Sequence, residues 1–409
     1  MLQKSHELAE QRRPDDIHAW IRLGICLIFG TVCGVGMWSM VVVLPAVQAD
    51  FGVQRADVSL AFGTTMVGFG LGNAFIGRYV DRFGTTVPLL MGSLLLGGGY
   101  LLSSYAMSYT TFALLQVAVG LGAASGFGPI IADISHWFVR RRGIAMATAA
   151  TGNYIAGAVW PTIIETIMSA SGWRTAFFTI GIVCMCLMIP LALLLRARPP
   201  LAHTAEVNQP RLATRFAPRT LQLILALAGI ACCVAMAMPQ VHIVAYCVDL
   251  GFGVARGAEM LSLMLFGGIF SRLAFGLLSD RIGGVRTLLV SSTLQCAALI
   301  LYLPFDGLTS LYIVSLIFGL SQGGIVSTYA LIIREYLPAR EAGQRVGLVI
   351  LATVVGMALG GWMSGWIYDV TGSYTAAFLN GIAWNILNIA LMLLILSGNV
   401  RSPRVVAAQ

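Results

Sequence analysis

The sequence predicts an all-α polytopic membrane protein with twelve transmembrane helices in two pseudosymmetric six-helix halves. Three observations lead to this prediction. First, 58% of the 409 residues are hydrophobic and only 10% are charged, whereas a soluble globular domain has about 25% charged residues. Second, the hydrophobic residues fall into twelve runs, each near the roughly 20 residues that a helix needs to cross a bilayer. Third, an eight-residue pattern occurs at the same place in each half of the chain.

Charged residues and clusters of proline and glycine separate the hydrophobic runs and so define the spans in order. The first six spans are predicted at residues 20–48, 57–79, 85–106, 110–135, 143–168 and 174–196. The last six are predicted at residues 220–248, 257–279, 286–304, 309–333, 344–368 and 374–397. The proline-rich polar segment between them is typical of a linker. We therefore expect an amino-terminal half, a cytoplasmic linker and a carboxyl-terminal half at residues 1–196, 197–219 and 220–409.

The positive charges predict how the chain is oriented. Arg55, Arg174 and Arg256 fall in predicted outer loops and Arg272 falls inside a span, whereas all other Lys and Arg residues lie in segments on the opposite side. Because cytoplasmic segments are enriched in Lys and Arg, we expect a multi-pass protein with both termini in the cytoplasm. The net charge of +8 therefore reflects topology, and we expect contact with the lipid bilayer and no nucleic-acid partner.

The repeated pattern follows the second and the eighth predicted span. It reads GRYVDRFG at residues 77–84 and GLLSDRIG at residues 276–283, and the two copies stand 199 residues apart. Duplication of a six-helix unit is the plan of a large class of secondary transporters. The pattern G-x-x-x-D-R-x-G resembles the signature of the loop between the second and third helices in the major facilitator superfamily. This resemblance covers essentially the whole chain.

The resemblance implies that the repeated loops act as a gate. In the superfamily this loop holds the two halves together on the cytoplasmic side, which makes four charged residues gate candidates: Asp81, Arg82, Asp280 and Arg281. An aspartate there can also accept hydrogen bonds from free N–H groups at a helix start. The alternative is that these residues only anchor the topology and cap helices.

Three further segments resemble the monocarboxylate transporter family, which includes bacterial lactate carriers and oxalate/formate exchangers. They are VVVLPAVQADFGVQRADVSLAF at 41–62, HWFVRRRGIAMATAATGNYIAG at 136–157 and GWRTAFF at 172–178. The resemblance implies alternating-access transport of a small monocarboxylate such as lactate or pyruvate, and location in a bacterial inner membrane. The fifth span has Pro161 without the G-x-x-x-G-P spacing of proton-coupled drug exporters. Proton-coupled export of drugs or other organic metabolites is the alternative function.

The strongest candidate for a substrate-binding residue is Arg272, which lies deep in the apolar eighth span. A charge at the bilayer centre costs at least about 2.5–3.5 kcal/mol, so it generally marks a functional site. Gly268 and Gly276 lie one turn away on the same face and are expected to leave room for a small ligand. A guanidinium offers a planar fork of donors that matches a carboxylate, and a single cation suits a monoanion. The alternative is an ion pair between helices, for example with Asp133.

The resemblance places a substrate-binding arginine four residues before the motif glycine, a spacing that Arg272 and Gly276 match. Two positions depart from animal monocarboxylate carriers. The animal carriers have an aspartate where this chain has Gly268, and they have a first-helix lysine whose counterpart here is Trp38. Both residues are linked to proton coupling in that family, so symport with H⁺ and anion exchange both stay open. In the oxalate exchangers that this chain resembles, the eleventh helix carries a second cation; the eleventh span here has no Lys or Arg between 349 and 365, which argues against oxalate.

Other polar residues within the spans are weaker ligand candidates. They are Asn153 and Tyr154 in the fifth span, His242 in the seventh, and Gln322 and Tyr329 in the tenth. Polar side chains in membrane bundles often only link helices, which is the alternative for each of them. The five histidines are scattered and the eight cysteines lack metal-ligand spacing, so we expect a transporter without catalytic residues, metal or cofactor.

Overall fold

The computed structural model describes residues 15–138, 141–197, 213–337 and 339–400. Within these ranges the protein is helical apart from short connections and one pair of two-residue strands. The strands β1 (Ala213–Thr214) and β2 (Asn399–Val400) pair antiparallel. Residues 198–212 of the expected linker lie outside the described ranges, so the domain boundaries stay a prediction.

Seven of the described helices form the amino-terminal half. They are α1 (Ile17–Cys33), α2 (Val35–Phe51), α3 (Arg55–Phe83), α4 (Thr86–Ser104), α5 (Tyr109–Ala124), α6 (Gly128–Trp137) and α7 (Arg142–Leu194). The short breaks after α1 and after α5 interrupt single spans, so α1 with α2 forms the first span and α5 with α6 forms the fourth.

The long helix α7 contains the fifth and the sixth span. Its apolar part is 51 residues long, which at 1.5 Å per residue exceeds twice the roughly 30 Å of the bilayer core. Gly172 interrupts it with φ of 80° and ψ of 164°, a backbone conformation that favours glycine. Beyond this bend Arg174 contacts Asp50, whereas Leu195 contacts Arg22 at the opposite end of the half. The eleven apolar helical stretches therefore supply twelve spans.

The other seven described helices form the carboxyl-terminal half. They are α8 (Pro218–Asp249), α9 (Gly253–Ile282), α10 (Gly284–Leu301), α11 (Leu308–Gln322), α12 (Ile325–Tyr336), α13 (Ala339–Thr371) and α14 (Tyr374–Ser397). The tenth span consists of α11 and α12, which are separated at Gly323 and Gly324. The fourth span is broken in the same way, as expected for a duplicated unit.

Glycine contacts between helices repeat in the two halves. A Cβ on Gly120 of α5 would overlap the carbonyl oxygen of Thr65 in α3. Gly319, which lies 199 residues later in α11, packs in the same way against Met264 of α9. Small residues permit this close approach where no hydrophobic effect drives helices together. The all-α fold of twelve spans in two related halves is thus confirmed.

The two halves contact each other mainly through two pairs of spans. The second span (α3) packs along the eleventh (α13), and the fifth (in α7) packs along the eighth (α9). The first span also contacts the seventh and the eighth. The residues of the fifth and eighth spans therefore lie at the interface where an alternating-access site is expected.

The glycine contact predicts a position-specific loss of stability. Gly120→Ala should lower the free energy of unfolding by about 1–3 kcal/mol because the new methyl group overlaps backbone. Gly63→Ala in α3 is the matched control, since a Cβ there meets no atom within 4 Å. Thermal unfolding of the detergent-solubilised variants measures both. Equal melting temperatures for the two variants would contradict the close packing of α3 and α5.

Candidate functional site

The guanidinium of Arg272 lies at the interface between the two halves. The residue is buried, with 9% of its surface exposed. Its Nη1 donates a hydrogen bond of 2.9 Å to the carbonyl oxygen of Ala150. Its Cζ lies 5.0 Å from the ring centroid of Tyr154, a cation–π distance. Both partners belong to the fifth span, so this arginine of one half is held by the other half.

In the part of the chain that the structure describes, no carboxylate forms an ion pair with Arg272. The interhelical pair with Asp133 is wrong, because Asp133 binds the guanidinium of Arg22 through contacts of 2.6 and 2.8 Å. A buried charge without a partner is strongly destabilising. Arg272 is therefore a buried cation that lacks a described protein anion and has donors free for one.

The two glycines beside Arg272 have different surroundings. A Cβ on Gly268 would lie 2.5 Å from Cε1 of Tyr154, so this glycine makes room for the tyrosine ring and the expected room for a ligand is filled. Gly276 differs, because a Cβ there would meet no atom within 4 Å. The tyrosine ring therefore fills the space beside Gly268, whereas the space beside Gly276 is open.

The first span reaches the same place through Trp38. Its Nε1 donates a hydrogen bond of 3.1 Å to the carbonyl oxygen of Asn153, the residue before Tyr154. A Cβ on Gly157 would lie 2.9 Å from this Nε1 and would also overlap Leu265 of the eighth span. The first, fifth and eighth spans thus meet around Trp38 and Tyr154, and Tyr154 also contacts Arg272. The side chain of Asn153 is half-buried there.

Gln322 is the candidate from the tenth span that lies nearest to the backbone of Arg272. The next residue, Gly323, donates its N–H to Ser271 Oγ at 3.0 Å, and a Cβ on it would lie 3.0 Å from the backbone nitrogen of Arg272. The Gln322 side chain is buried and accepts a hydrogen bond from Gln240 Nε2. Its own Nε2 is a buried donor without a partner among the described residues.

Tyr329 and His242 are both fully buried in contacts of their own. Tyr329 Oη accepts a hydrogen bond of 2.7 Å from Asn388 Nδ2, within the carboxyl-terminal half. His242 places Nε2 2.8 Å from the carbonyl oxygen of Gly361 and Nδ1 3.2 Å from Tyr374 Oη. The described contacts bring Arg272 and Tyr154 together and do not bring Tyr329 or His242 to them. For these two residues, substrate contact stays a prediction.

The gate candidates lie at the end of the molecule that the predicted orientation places in the cytoplasm. Asp280 and Arg281 are exposed in the last turns of α9. Asp81 and Arg82 lie near the end of α3, and their side chains fall outside the described part of the structure. Nearby, Thr85 Oγ1 donates to Asp133 at 2.9 Å, while Gly284 N donates to Glu335 at 3.0 Å in the other half.

A cluster of charges that the sequence did not predict lies at the opposite end, which the predicted orientation places outside. There the guanidinium of Arg55 pairs with Asp249 at 3.2 Å and donates to Tyr374 Oη at 2.7 Å. Asp369 accepts from the backbone at the start of α3. Because these partners belong to opposite halves, the two halves are in contact at this end of the molecule. The available signal was the pair of aspartates at helix ends, Asp249 and Asp369.

The surroundings of Arg272 predict that the two glycines respond differently to a methyl group. Gly268→Ala should displace the Tyr154 ring and lower the free energy of unfolding by about 1–3 kcal/mol. Gly276→Ala is the matched control one turn on the other side, where the methyl group meets open space. Thermal unfolding of both variants checks this. A Gly268→Ala variant as stable as Gly276→Ala would contradict the described packing of Tyr154.

Comparison with known proteins shows that the chain is similar to membrane transporters. A family model described as Major Facilitator Superfamily matches residues 26–274 and 244–408. Monocarboxylate transporter 13 of Rattus norvegicus is 28% identical over 86% of this chain and 82% of its own length. The corresponding Bos taurus protein is 29% identical over 73% of this chain and 70% of its own. An MFS-type transporter of Aspergillus niger, pynF, is 26% identical over 82% of this chain and 77% of its own.

The fold is also similar to that of a solved transporter structure. A bacterial homologue of the human lysosomal transporter Spinster, in an inward-facing and unoccupied conformation, superimposes with a TM-score of 0.73. The match covers 95% of this chain and 100% of that one at 14% identity. At this identity the likeness concerns the fold alone.

Proposed function

The chain belongs to the major facilitator superfamily of membrane transporters, and we propose that it moves small monocarboxylates such as lactate or pyruvate by alternating access. The observation that carries the proposal is the buried guanidinium of Arg272, which has no carboxylate partner among the described residues. A guanidinium has five N–H donors, and its one described hydrogen bond uses a single donor. The remaining donors match a carboxylate in geometry and charge.

The surroundings of Arg272 support a small monoanion. A single cation neutralises one carboxylate, and a second carboxylate in the ligand would stay uncompensated. The ring of Tyr154 lies beside the arginine, and the indole of Trp38 binds the carbonyl oxygen of the preceding residue, Asn153; both aromatic groups suit a short apolar tail. The free Nε2 of Gln322 is a donor for the 2-hydroxy or 2-oxo group. The names of the relatives, monocarboxylate transporters 11, 12 and 13, agree with this substrate class.

The position of Arg272 also suits the transport cycle. It belongs to one half and contacts the fifth span of the other, so its surroundings change when the halves rotate against each other. In this outward-closed state Asp280 and Arg281 are exposed. We propose that they bind the opposite half, together with Asp81 and Arg82, when the cytoplasmic side closes. Cytoplasmic termini and an inner-membrane location are part of the same proposal.

The charge balance of the site favours anion exchange over proton symport. Without substrate, the halves must rearrange around an unpaired buried cation, which is unfavourable. With a carboxylate bound, the pair is neutral and can pass through the closed state more readily. No acid pairs with Arg272 among the described residues, and Asp133 pairs with Arg22 instead. The described residues therefore place no free carboxyl group beside Arg272 that could carry a proton with the substrate.

The first test is uptake of radiolabelled L-lactate and pyruvate into proteoliposomes containing wild type or Arg272→Gln. We expect Arg272→Gln to lower kcat/KM by at least about tenfold, because charge-assisted hydrogen bonds contribute about 1.5–3 kcal/mol each. Arg272→Lys is the matched control, since it keeps the charge without the planar fork and should retain intermediate activity. Wild-type rates in Arg272→Gln would contradict the proposed role of this residue.

The second test separates exchange from symport in the same proteoliposomes. Unlabelled L-lactate inside should accelerate uptake of labelled L-lactate by about tenfold, since the neutral loaded carrier returns more easily than the charged empty one. An inward proton gradient without internal substrate should have little effect. Strong stimulation by the gradient alone would contradict exchange and indicate proton symport.

A further inference from the structure

The outer end of α3 binds a carboxylate that comes from the other half. The first N–H groups of a helix have no intrahelical partner. Here the backbone N–H groups of Arg55 and Ala56 both donate to the carboxylate of Asp369, at 3.0 and 2.6 Å. Asp369 lies in the last turn of α13, in the carboxyl-terminal half.

The side chain of Arg55 completes this group of donors. Its two Nη atoms lie 3.2 and 3.3 Å from the carboxylate oxygens of Asp249, and Nη1 donates to Tyr374 Oη at 2.7 Å. The residue is buried, with 7% of its surface exposed, and its Nε has no hydrogen-bond partner in the described part of the chain. All these acceptors belong to the carboxyl-terminal half.

The two aspartates occupy positions that their own helices disfavour. Asp249 is the last residue of α8 and Asp369 lies in the last turn of α13. Helix C-termini carry partial negative charge and favour cations over acids. The contacts with Arg55 and with the positive start of α3 offset this. Separation of the halves at this end would therefore remove the contacts that offset the unfavourable position of both acids.

Opening the outer side must break all of these contacts at once. Asp249, Asp369 and Tyr374 would leave with the carboxyl-terminal half. Two backbone N–H groups and the guanidinium of Arg55 would stay on the amino-terminal half without an acceptor. These donors already hold a carboxylate in this structure, and a helix N-terminus beside an arginine is a favourable anion site.

We propose that the N–H groups of Arg55 and Ala56, together with the Arg55 guanidinium, form an outer carboxylate cradle. Asp369 occupies the cradle while the outer side is closed, and an external monocarboxylate occupies it when that side opens. This rests on the proposed function, since it concerns the same substrates on their way to Arg272. The substrate competes with an internal carboxylate, so binding at the cradle also favours the open state.

The experiment must separate capture of substrate from closure of the gate, because Arg55 contributes to both. In an Asp249→Asn/Asp369→Asn background, neutral amides replace both carboxylates that Arg55 binds through its side chain or its backbone. The contribution of Arg55 to closing the gate is then largely removed. Adding Arg55→Gln to this background should raise the KM for external L-lactate by about tenfold, through the loss of charge-assisted donors. The KM for L-lactate presented from the cytoplasmic side, measured in inverted vesicles, should not change.

The alternative outcome has a clear signature. If Arg55 only closes the gate, Arg55→Gln leaves the external KM of the background variant unchanged. This result overturns the cradle. Arg256→Gln removes another outer arginine, which pairs with Glu259 on the surface; an equal rise in KM with this variant would show a general charge effect and also overturn it.

Two controls protect the result from misfolding and from failure of the proposed function. Arg55→Lys keeps the positive charge and should give a smaller rise in external KM than Arg55→Gln, while all variants are checked for equal melting temperature. A wild type without saturable L-lactate uptake would contradict the proposed function. If wild-type uptake is saturable but the Asp249→Asn/Asp369→Asn variant has the same external KM with and without Arg55→Gln, the result contradicts the cradle and leaves the proposed function intact.

Discussion

A buried charge in a membrane protein needs a counter-charge, and the arginines of this chain meet this requirement in different ways. Among the described residues, Arg22, Arg55 and Arg272 are buried. Arg22 has Asp133, and Arg55 has Asp249. Arg272 has a carbonyl oxygen and a tyrosine ring. The paired arginines hold helices together, whereas the third has no acid partner among the described residues and, under the proposal, binds the substrate anion. The proposed substrate follows from this difference.

The internal duplication shows where the two halves have diverged. Asp50 and Asp249 stand 199 residues apart, each near the end of the first span of its half. Asp50 pairs with Arg174 of its own half, whereas Asp249 pairs across the interface with Arg55. The same acid thus stabilises one half in the first copy and joins both halves in the second. Divergence of partners within a repeated framework is how the interface acquires contacts that can break while each half stays intact.

The sequence predicted the parts of this structure that depend on length, hydropathy and repetition. The twelve spans follow from apolar runs, and the depth of Arg272 follows from its place in one of them. The roles of Gly268 and Asp133 could not be predicted, because they depend on which distant side chain meets them. Tyr154 fills the space beside Gly268, and Arg22 pairs with Asp133, the acid that the sequence offered as a partner for Arg272. Periodicity gives the face of a helix but not the residue that packs against it.

The proposed outer cradle and the central arginine differ in their contacts with protein carboxylates in this conformation. Asp369 fills the cradle from within the protein, while Arg272 lacks any described acid. Under the proposed cycle, opening the outer side vacates the cradle and changes the contacts of Arg272 with the fifth span. The arginine that a substrate can reach therefore depends on the conformation. Asp369 blocks the outer cradle at Arg55 only when that side is closed. Under the proposed cycle, each conformational change therefore alters which positively charged site is available to the substrate, as well as which side of the membrane the cavity opens to.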